Sequence, residues 1–243
     1  MRKNITDFDK ETVPASVRPL LDKAVIYDSS CSEEARTLLV EGTDRSFLKI
    51  SKRGRLKREF EMTQYLHRCH GLAPNVMAYD FDEDHDYLVT QAVAGEDGTS
   101  EAHIANPMKL AGVFGEYLRM LHSLPAEGCP YLHRTMEMLE ETGSRLSPVI
   151  VQQIQSAAED HVLIHGDYCL PNIIMDNFAL KGFIDLGYGG VGDRHYDLYW
   201  GMWTLAYNLK TDRYMDAFLD AYGRQDVDEE RLKLFTLWMD SVD

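Results

Sequence analysis

The sequence predicts an α+β chain in two lobes, a small N-terminal lobe built on an antiparallel sheet (residues 1–94) and a larger, mainly helical C-terminal lobe (residues 95–243). Two observations predict this. Apolar side chains alternate or cluster at strand length over 24–27, 36–41, 46–50, 76–79 and 87–91, around one helix-length stretch at 57–68. From residue 107 onward the apolar spacing changes to three and four, the period of helices that bury one face. A chain of 243 residues, 44% hydrophobic, can bury its core as two lobes sharing one cleft or as one large domain.

In chain order, Glu41-Gly42-Thr43-Asp44 is a hairpin turn between the second and third strands. The helix at 57–68 carries Phe60, Thr63, Gln64 and Leu66-His67 and is bounded by Gly71 and Pro74. Two more strands pair around the acidic turn 82–86, which makes five strands and one helix. Gly95 to Ser100 reads as the crossover. Asn106-Pro107 then opens a helix with a cap residue and a proline at the first helical position, and Leu110, Phe114, Tyr117-Leu118 and Leu121 line one face of it. Helical patterning returns at 195–208, 212–222 and 228–240, with Asp212 and Asp228 as N-terminal charges.

Two loops in the C-terminal half stand between apolar strands. Val162-Leu163-Ile164 leads into His165-Gly166-Asp167-Tyr168-Cys169-Leu170-Pro171-Asn172, Ile173-Ile174-Met175 follows, and Phe183-Ile184 runs into Asp185-Leu186-Gly187. Buried strands hold such loops rigid, as a reaction dominated by positioning and charge stabilisation requires. An Asp and an Asn five apart, followed by Asp-x-Gly, supply the groups of metal-dependent phosphoryl transfer. Asp167 can hold an acceptor hydroxyl and take its proton, while Asn172 and Asp185 offer the hard oxygens that Mg²⁺ uses. Lys49 on the strand Phe47-Leu48-Lys49-Ile50 and Glu59, ten residues on, match the phosphate-contacting lysine of kinases and the glutamate that holds it. His165 reads as a packed, hydrogen-bonded histidine.

HGDYCLPN (165–172) and GFIDLG (182–187) closely resemble the aminoglycoside phosphotransferases, the 3'-type antibiotic kinases in particular, with Cys169-Leu170-Pro171 the specific part. The resemblance runs from about Tyr27 to Asp240. It implies a bilobal protein-kinase-like fold and a kanamycin-kinase-like O-phosphotransferase that uses ATP or GTP with Mg²⁺ on the 3'-hydroxyl of an aminoglycoside. It further implies that Ser32, in a loop without glycines at 28–35, faces the triphosphate and that Phe47 stacks on adenine. The backbone at Gln91 and Val93 would meet the base edge, and Asp197 would brace the catalytic loop by accepting backbone hydrogen bonds.

Acids expected to meet a cationic substrate are Glu137, Glu140, Glu141, Asp160, Asp193, Asp240 and Asp243. The sequence departs from those enzymes in carrying Tyr188 where an arginine commonly stands, and its stretch from Pro130 to Asp160 is shorter. Other acceptors therefore stay open, among them a macrolide, an amino alcohol or a metabolite, as does a non-catalytic nucleotide-binding module. Gly166 in place of the arginine of protein kinases, with only a short segment from Asp185 to Asp197, points to an enzyme without an activation-loop switch.

Composition sets outer bounds. Formal charge is −15, with 14 Lys+Arg against 16 Asp+Glu in residues 1–94 and 11 against 24 in residues 95–243. A near-neutral half can accept a nucleotide, while the acidic half attracts a polycation. The cluster Lys52–Arg58 lacks interleaved aromatic residues and reads as a solvated loop and helix start rather than a nucleic-acid patch. No apolar leader or run of 18 apolar residues occurs, so no membrane partner is expected. Four scattered cysteines suit free thiols in a reducing cytoplasm. A monomer or weak dimer is expected.

Overall fold

A computed structural model describes residues 4–31 and 34–242. The chain forms two compact units, Met1–Val93 and Ala94–Asp243. The first is a six-stranded antiparallel sheet with strand order β1-β2-β3-β4-β6-β5: β1 (Asn4–Ile5), β2 (Val25–Asp28), β3 (Ala35–Glu41), β4 (Arg45–Lys52), β5 (Val76–Phe81) and β6 (His85–Gln91). The five expected strands are present. The sixth, β1, adds an edge of only two residues, too short for any period to register.

Leu38 and Val40 of β3, Leu48 of β4, and Tyr87 and Val89 of β6 build this unit's core with Val13, Val17 and Leu21. Alternation along β4 therefore sends Phe47 and Lys49 to the opposite face. Helix α1 (Lys57–His70) ends where Gly71 turns left-handed at φ 68° and donates its N–H to His67 O (2.9 Å). Its entry is set by Asp86, the last residue of the acidic turn. That carboxylate is fully buried and accepts from Arg53 Nη1 (2.8 Å) and the Leu56 N–H (2.9 Å). Phe60 of α1 stacks on Tyr79 of β5 at 4.4 Å, which fixes the helix against the sheet.

The second unit is mainly helical. Its elements are β7 (Glu96–Asp97), α2 (Glu101–Ile104), α3 (Pro107–His122), α4 (Arg134–Thr142), α5 (Pro148–Ala157), β8 (Val162–Ile164), β9 (Ile173–Asp176), β10 (Ala179–Phe183), β11 (Gly190–Gly192), α6 (Arg194–Leu209), α7 (Met215–Tyr222) and α8 (Glu229–Val242). Part of the expected crossover is ordered as β7, which joins β9 and β10 in a three-stranded sheet. Helix α3 packs on α7 so closely that a Cβ at Gly115 would overlap the Phe218 backbone. Trp238, Phe235, Tyr196 and Ile154 centre a core shared by α4, α5, α6 and α8.

Two of the expected helix starts differ in detail. Pro107 does open α3, but the Asn106 side chain makes no cap and donates back to Ala102 O (3.2 Å). Helix α7 begins at Met215 rather than 212, its first N–H bonded to the Asp212 carbonyl (3.0 Å). Asp228 caps α8 through the Glu230 and Arg231 N–H groups (3.0 and 3.1 Å). Among the described residues no helix is long and apolar enough to cross a membrane.

Candidate active site

The loop 165–172 leaves β8 at His165, and Asp197 holds it from α6. This buried carboxylate accepts the His165 N–H on Oδ2 (2.6 Å) and the Gly166 N–H on Oδ1 (2.8 Å). Gly166 can make the turn because it takes φ +79°, and a Cβ there would overlap the Tyr188 carbonyl. Beneath the loop Tyr168 is fully buried, stacked on Phe114 at 4.4 Å and donating its hydroxyl to Phe114 O (2.7 Å). Thr204 Oγ1 accepts the Leu170 N–H (3.2 Å). Burial pushes the Cys169 thiol pKa far up, so it stays protonated and is no nucleophile.

These restraints leave Asp167 half-buried at the loop tip, where Asn172 orients it. The Asn172 amide nitrogen donates to the Asp167 carbonyl (3.0 Å) and to its Oδ2 (2.9 Å). Only the NH₂ end of an amide can donate, so the Asn172 carbonyl oxygen is the end left for a cation. The Asn172 main-chain oxygen accepts the Ile184 N–H (3.0 Å), which ties the next loop to this one. Asp185 follows in left-handed backbone (φ 58°, ψ 51°), its carboxyl side exposed, while Leu186 is buried behind it. An aspartate in that conformation is uncommon and persists where surrounding structure imposes it.

Two hard oxygens, completed by phosphate oxygens and water, suit Mg²⁺, which rarely takes an all-protein cage.

In the first unit Lys49 Nζ meets Glu59 Oε2 at 2.8 Å, with most of both side chains shielded. Phe47 lies two residues before Lys49 on the same strand face and is partly buried. The Gln91 N–H is spent on Asn75 O (2.9 Å) and the Ala92 N–H on Arg45 O (2.9 Å), so Val93 is the next backbone beyond these bonds. Ahead of residue 32 the chain is pinned by the Thr37 N–H to Ser30 Oγ (3.0 Å) and the Ser30 N–H to Asp28 Oδ1 (3.0 Å). Ser32 itself lies outside the described residues, as does Asp243.

The model of the phosphotransferase enzyme family matches residues 32–235. The chain belongs to this family. A probable aminoglycoside 3'-phosphotransferase of Lactococcus lactis subsp. lactis (strain IL1403) is 40% identical, the alignment covering 96% of this chain and 95% of the relative. An aminoglycoside 3'-phosphotransferase of Niallia circulans is 31% identical over 62% of this chain and 65% of its own length. The crystal structure of an aminoglycoside 3'-phosphotransferase of type VIII superposes with a TM-score of 0.71 at 24% identity, covering 87% of this chain and 90% of that one. The bilobal kinase-like fold and the resemblance to the 3'-type enzymes read from the motifs are thus borne out.

In this phosphotransferase the expected substrate acids fall into different environments. Glu140 and Glu141 are exposed on α4, and Glu137 on the same helix pairs with Arg134 Nη1 (2.5 Å). Asp240 is exposed on α8, accepts the Tyr199 hydroxyl (3.2 Å), and lines a cavity of about 350 Å³ with Trp203, Tyr207 and Met202. Asp160 is partly buried, and that burial raises its carboxyl pKa.

Asp193 needs correcting as a substrate acid. It is fully buried and caps α6, accepting from the His195 N–H (2.9 Å), the Glu159 N–H (2.8 Å) and Arg231 Nη1 (3.3 Å). Burial alone would raise its pKa, but the hydrogen bonds from His195 and Glu159 leave it lowered. A carboxylate so occupied is a structural anchor, and the sequence could not show that two of its partners, Glu159 and Arg231, lie 34 and 38 residues away.

The sequence also left His122 unremarked. It is buried at the end of α3, with Nδ1 2.9 Å from the Tyr222 hydroxyl and Nε2 3.2 Å from Asp197 Oδ2, so it braces the brace. Burial lowers its pKa below the ordinary 6.5, against the opposing pull of Asp197. A depressed folded-state pKa contributes stability above the unfolded value of about 6.5 that is lost as pH falls toward the folded value. The urea midpoint should therefore decline from pH 7 to 5.5, and His122→Gln should decline less steeply. Parallel slopes for the two proteins would remove His122 from this linkage.

Proposed function

We propose that this phosphotransferase transfers the terminal phosphoryl group of ATP or GTP, with Mg²⁺, to the 3'-hydroxyl of an aminoglycoside and so inactivates the drug. The observation that carries the reading is the Asn172 amide clamped on Asp167, with Asp185 tied to the same asparagine through Ile184. Near-full-length likeness to a relative named for 3'-phosphorylation supports the acceptor. Asp167 would orient the acceptor hydroxyl and take its proton as the new oxygen–phosphorus bond forms and the nucleoside diphosphate leaves. Asn172 Oδ1 and the Asp185 carboxylate would hold the metal. When bound, that ion neutralises charge on the phosphate oxygens.

In the first unit, Lys49, oriented by Glu59, is proposed to contact phosphate, Phe47 and the Val93 backbone to contact the base, and Ser32 to face the triphosphate. ATP and GTP are cytoplasmic, so the enzyme would act there.

For the acceptor, we propose that the cavity beside Asp240 seats an aminosugar ring. Trp203 and Tyr207 stack at 5.0 Å and are 39% and 58% exposed, offering a flat aromatic face to a sugar's C–H face, with Asp240 for an ammonium. Trp203→Ala should raise the acceptor KM by about fivefold to tenfold, the value of one aromatic contact, with kcat within twofold. An unchanged KM would place the acceptor elsewhere.

The same cavity favours a second reading, a less cationic acceptor such as a macrolide, since Asp240 is the one carboxylate among its described lining residues. Both readings are tested by nucleoside diphosphate release with Mg²⁺ and ATP or GTP across kanamycin, neomycin, streptomycin, a macrolide and choline. Turnover with kanamycin and neomycin alone supports 3'-phosphorylation, and turnover with the macrolide supports the second reading. Nucleotide binding without turnover of any acceptor would defeat both in favour of a binding module.

A further inference from the structure

Arg134 opens α4 and is entirely buried. Its Nε donates to the Tyr188 carbonyl (3.2 Å) and its Nη1 pairs with Glu137 (2.5 Å). Nη2, also buried, has no hydrogen-bond partner among the described residues. A guanidinium keeps its charge at any working pH, and burying it with one nitrogen unpaired is unfavourable, so packing alone does not account for arginine here.

The surrounding backbone is built around this side chain. Gly190 passes it in left-handed backbone (φ +149°), where a Cβ would overlap Arg134 Cγ and crowd Tyr131. The Val191 N–H donates to Tyr131 O (2.7 Å), which joins the segment leading into α4 to β11, a strand that begins five residues beyond Asp185, as a second tie between these stretches. On its other side the Tyr188 carbonyl presses against Gly166, where no Cβ would fit. The peptide three residues beyond Asp185 is thus held between the Arg134 guanidinium and the catalytic loop.

We propose that Arg134 is a positioning residue that fixes the Asp185 loop against the catalytic loop through the Tyr188 carbonyl, in an enzyme with too short a segment to do so by an activation loop. The inference rests on Asp185 being a metal ligand. Arg134 touches no reacting atom, and its effect reaches the metal through three residues of backbone. Arg134→Met keeps the apolar stem and removes the fork. Arg134→Lys keeps charge without the geometry. Gly190→Ala displaces the arginine without altering it.

The test is Mn²⁺ binding by water-proton relaxation, with a non-hydrolysable ATP or GTP analogue and no acceptor, beside steady-state kinetics. All three variants should weaken Mn²⁺ binding by about 10-fold or more and lower kcat, with metal-free nucleotide binding unchanged. Arg134→Met and Gly190→Ala proteins that unfold cooperatively, yet bind Mn²⁺ and turn over within twofold of the parent, would overturn the proposal. If either fails to fold, Arg134→Lys decides by the same criterion. Absence of nucleotide-dependent Mn²⁺ binding in the parent would instead overturn the metal assignment of Asp185, a distinct outcome.

Discussion

Asp167→Asn should lower kcat by about 10²- to 10⁴-fold, the range that a positioned general base contributes. The nucleotide KM should stay within about threefold, because the substitution leaves Asn172, Asp185 and the Lys49–Glu59 pair in place. The effect is confined in this way because the Asn172 amide can still donate to the remaining oxygen at 167, so the loop keeps its shape while the proton acceptor is gone. Nucleoside diphosphate release from the purified variant measures it. A variant within fivefold of the parent would show that the acceptor proton goes elsewhere, and the mechanism proposed for this loop would fall.

The largest stability effect is expected at Asp197. Its two oxygens receive the His165 and Gly166 N–H groups, and His122 Nε2 lies 3.2 Å away. Asp197→Asn turns one of those acceptors into a donor, so a buried backbone N–H must face an NH₂ group. An unsatisfied buried donor costs about 1–3 kcal/mol, and loss of the charge that two N–H groups share brings the total to about 3–5 kcal/mol. Against a total stability of about 5–15 kcal/mol for a native domain, the unfolding midpoint in urea should drop sharply. Surviving folded protein should also show reduced kcat, because Gly166 directs the chain toward Asp167. Unchanged stability would mean that this loop is held without Asp197, by the Thr204 hydroxyl and the aromatic packing of Tyr168 on Phe114 and Phe183.

The parts of this protein that could be read from sequence are those in which chemistry and local period coincide. The strand β4 alternates around Leu48, β3 reads instead as an apolar run buried at Leu38, Leu39 and Val40, helix α3 obeys a period near 3.6, and Asp167 and Asn172 sit at an interval that a short rigid loop converts directly into contact. Lys49 and Glu59 were legible because a strand and the next helix bring positions ten apart together. Asp86 was not: Arg53 and the Leu56 N–H, which make it a buried anchor, lie 33 and 30 residues away. Asp193 was misread because two of its partners, the Glu159 N–H and Arg231, lie far along the chain, and they complete its burial beside the local bond from His195.

By itself the sequence determined the two-lobe α+β organisation and the phosphotransferase family, because these depend on residue type and short spacing. Tertiary structure alone decided which carboxylates remain available and which are consumed. Asp240 stays open beside an aromatic cavity, whereas Asp193 is consumed in capping α6. It also placed Arg134 under Tyr188 and His122 behind Asp197, contacts that span 54 and 75 residues. A charge in sequence has no defined partner. Its role is set by what the fold buries around it, since burial makes an unpaired carboxylate or guanidinium costly and a fully bonded one a fixed point of the structure.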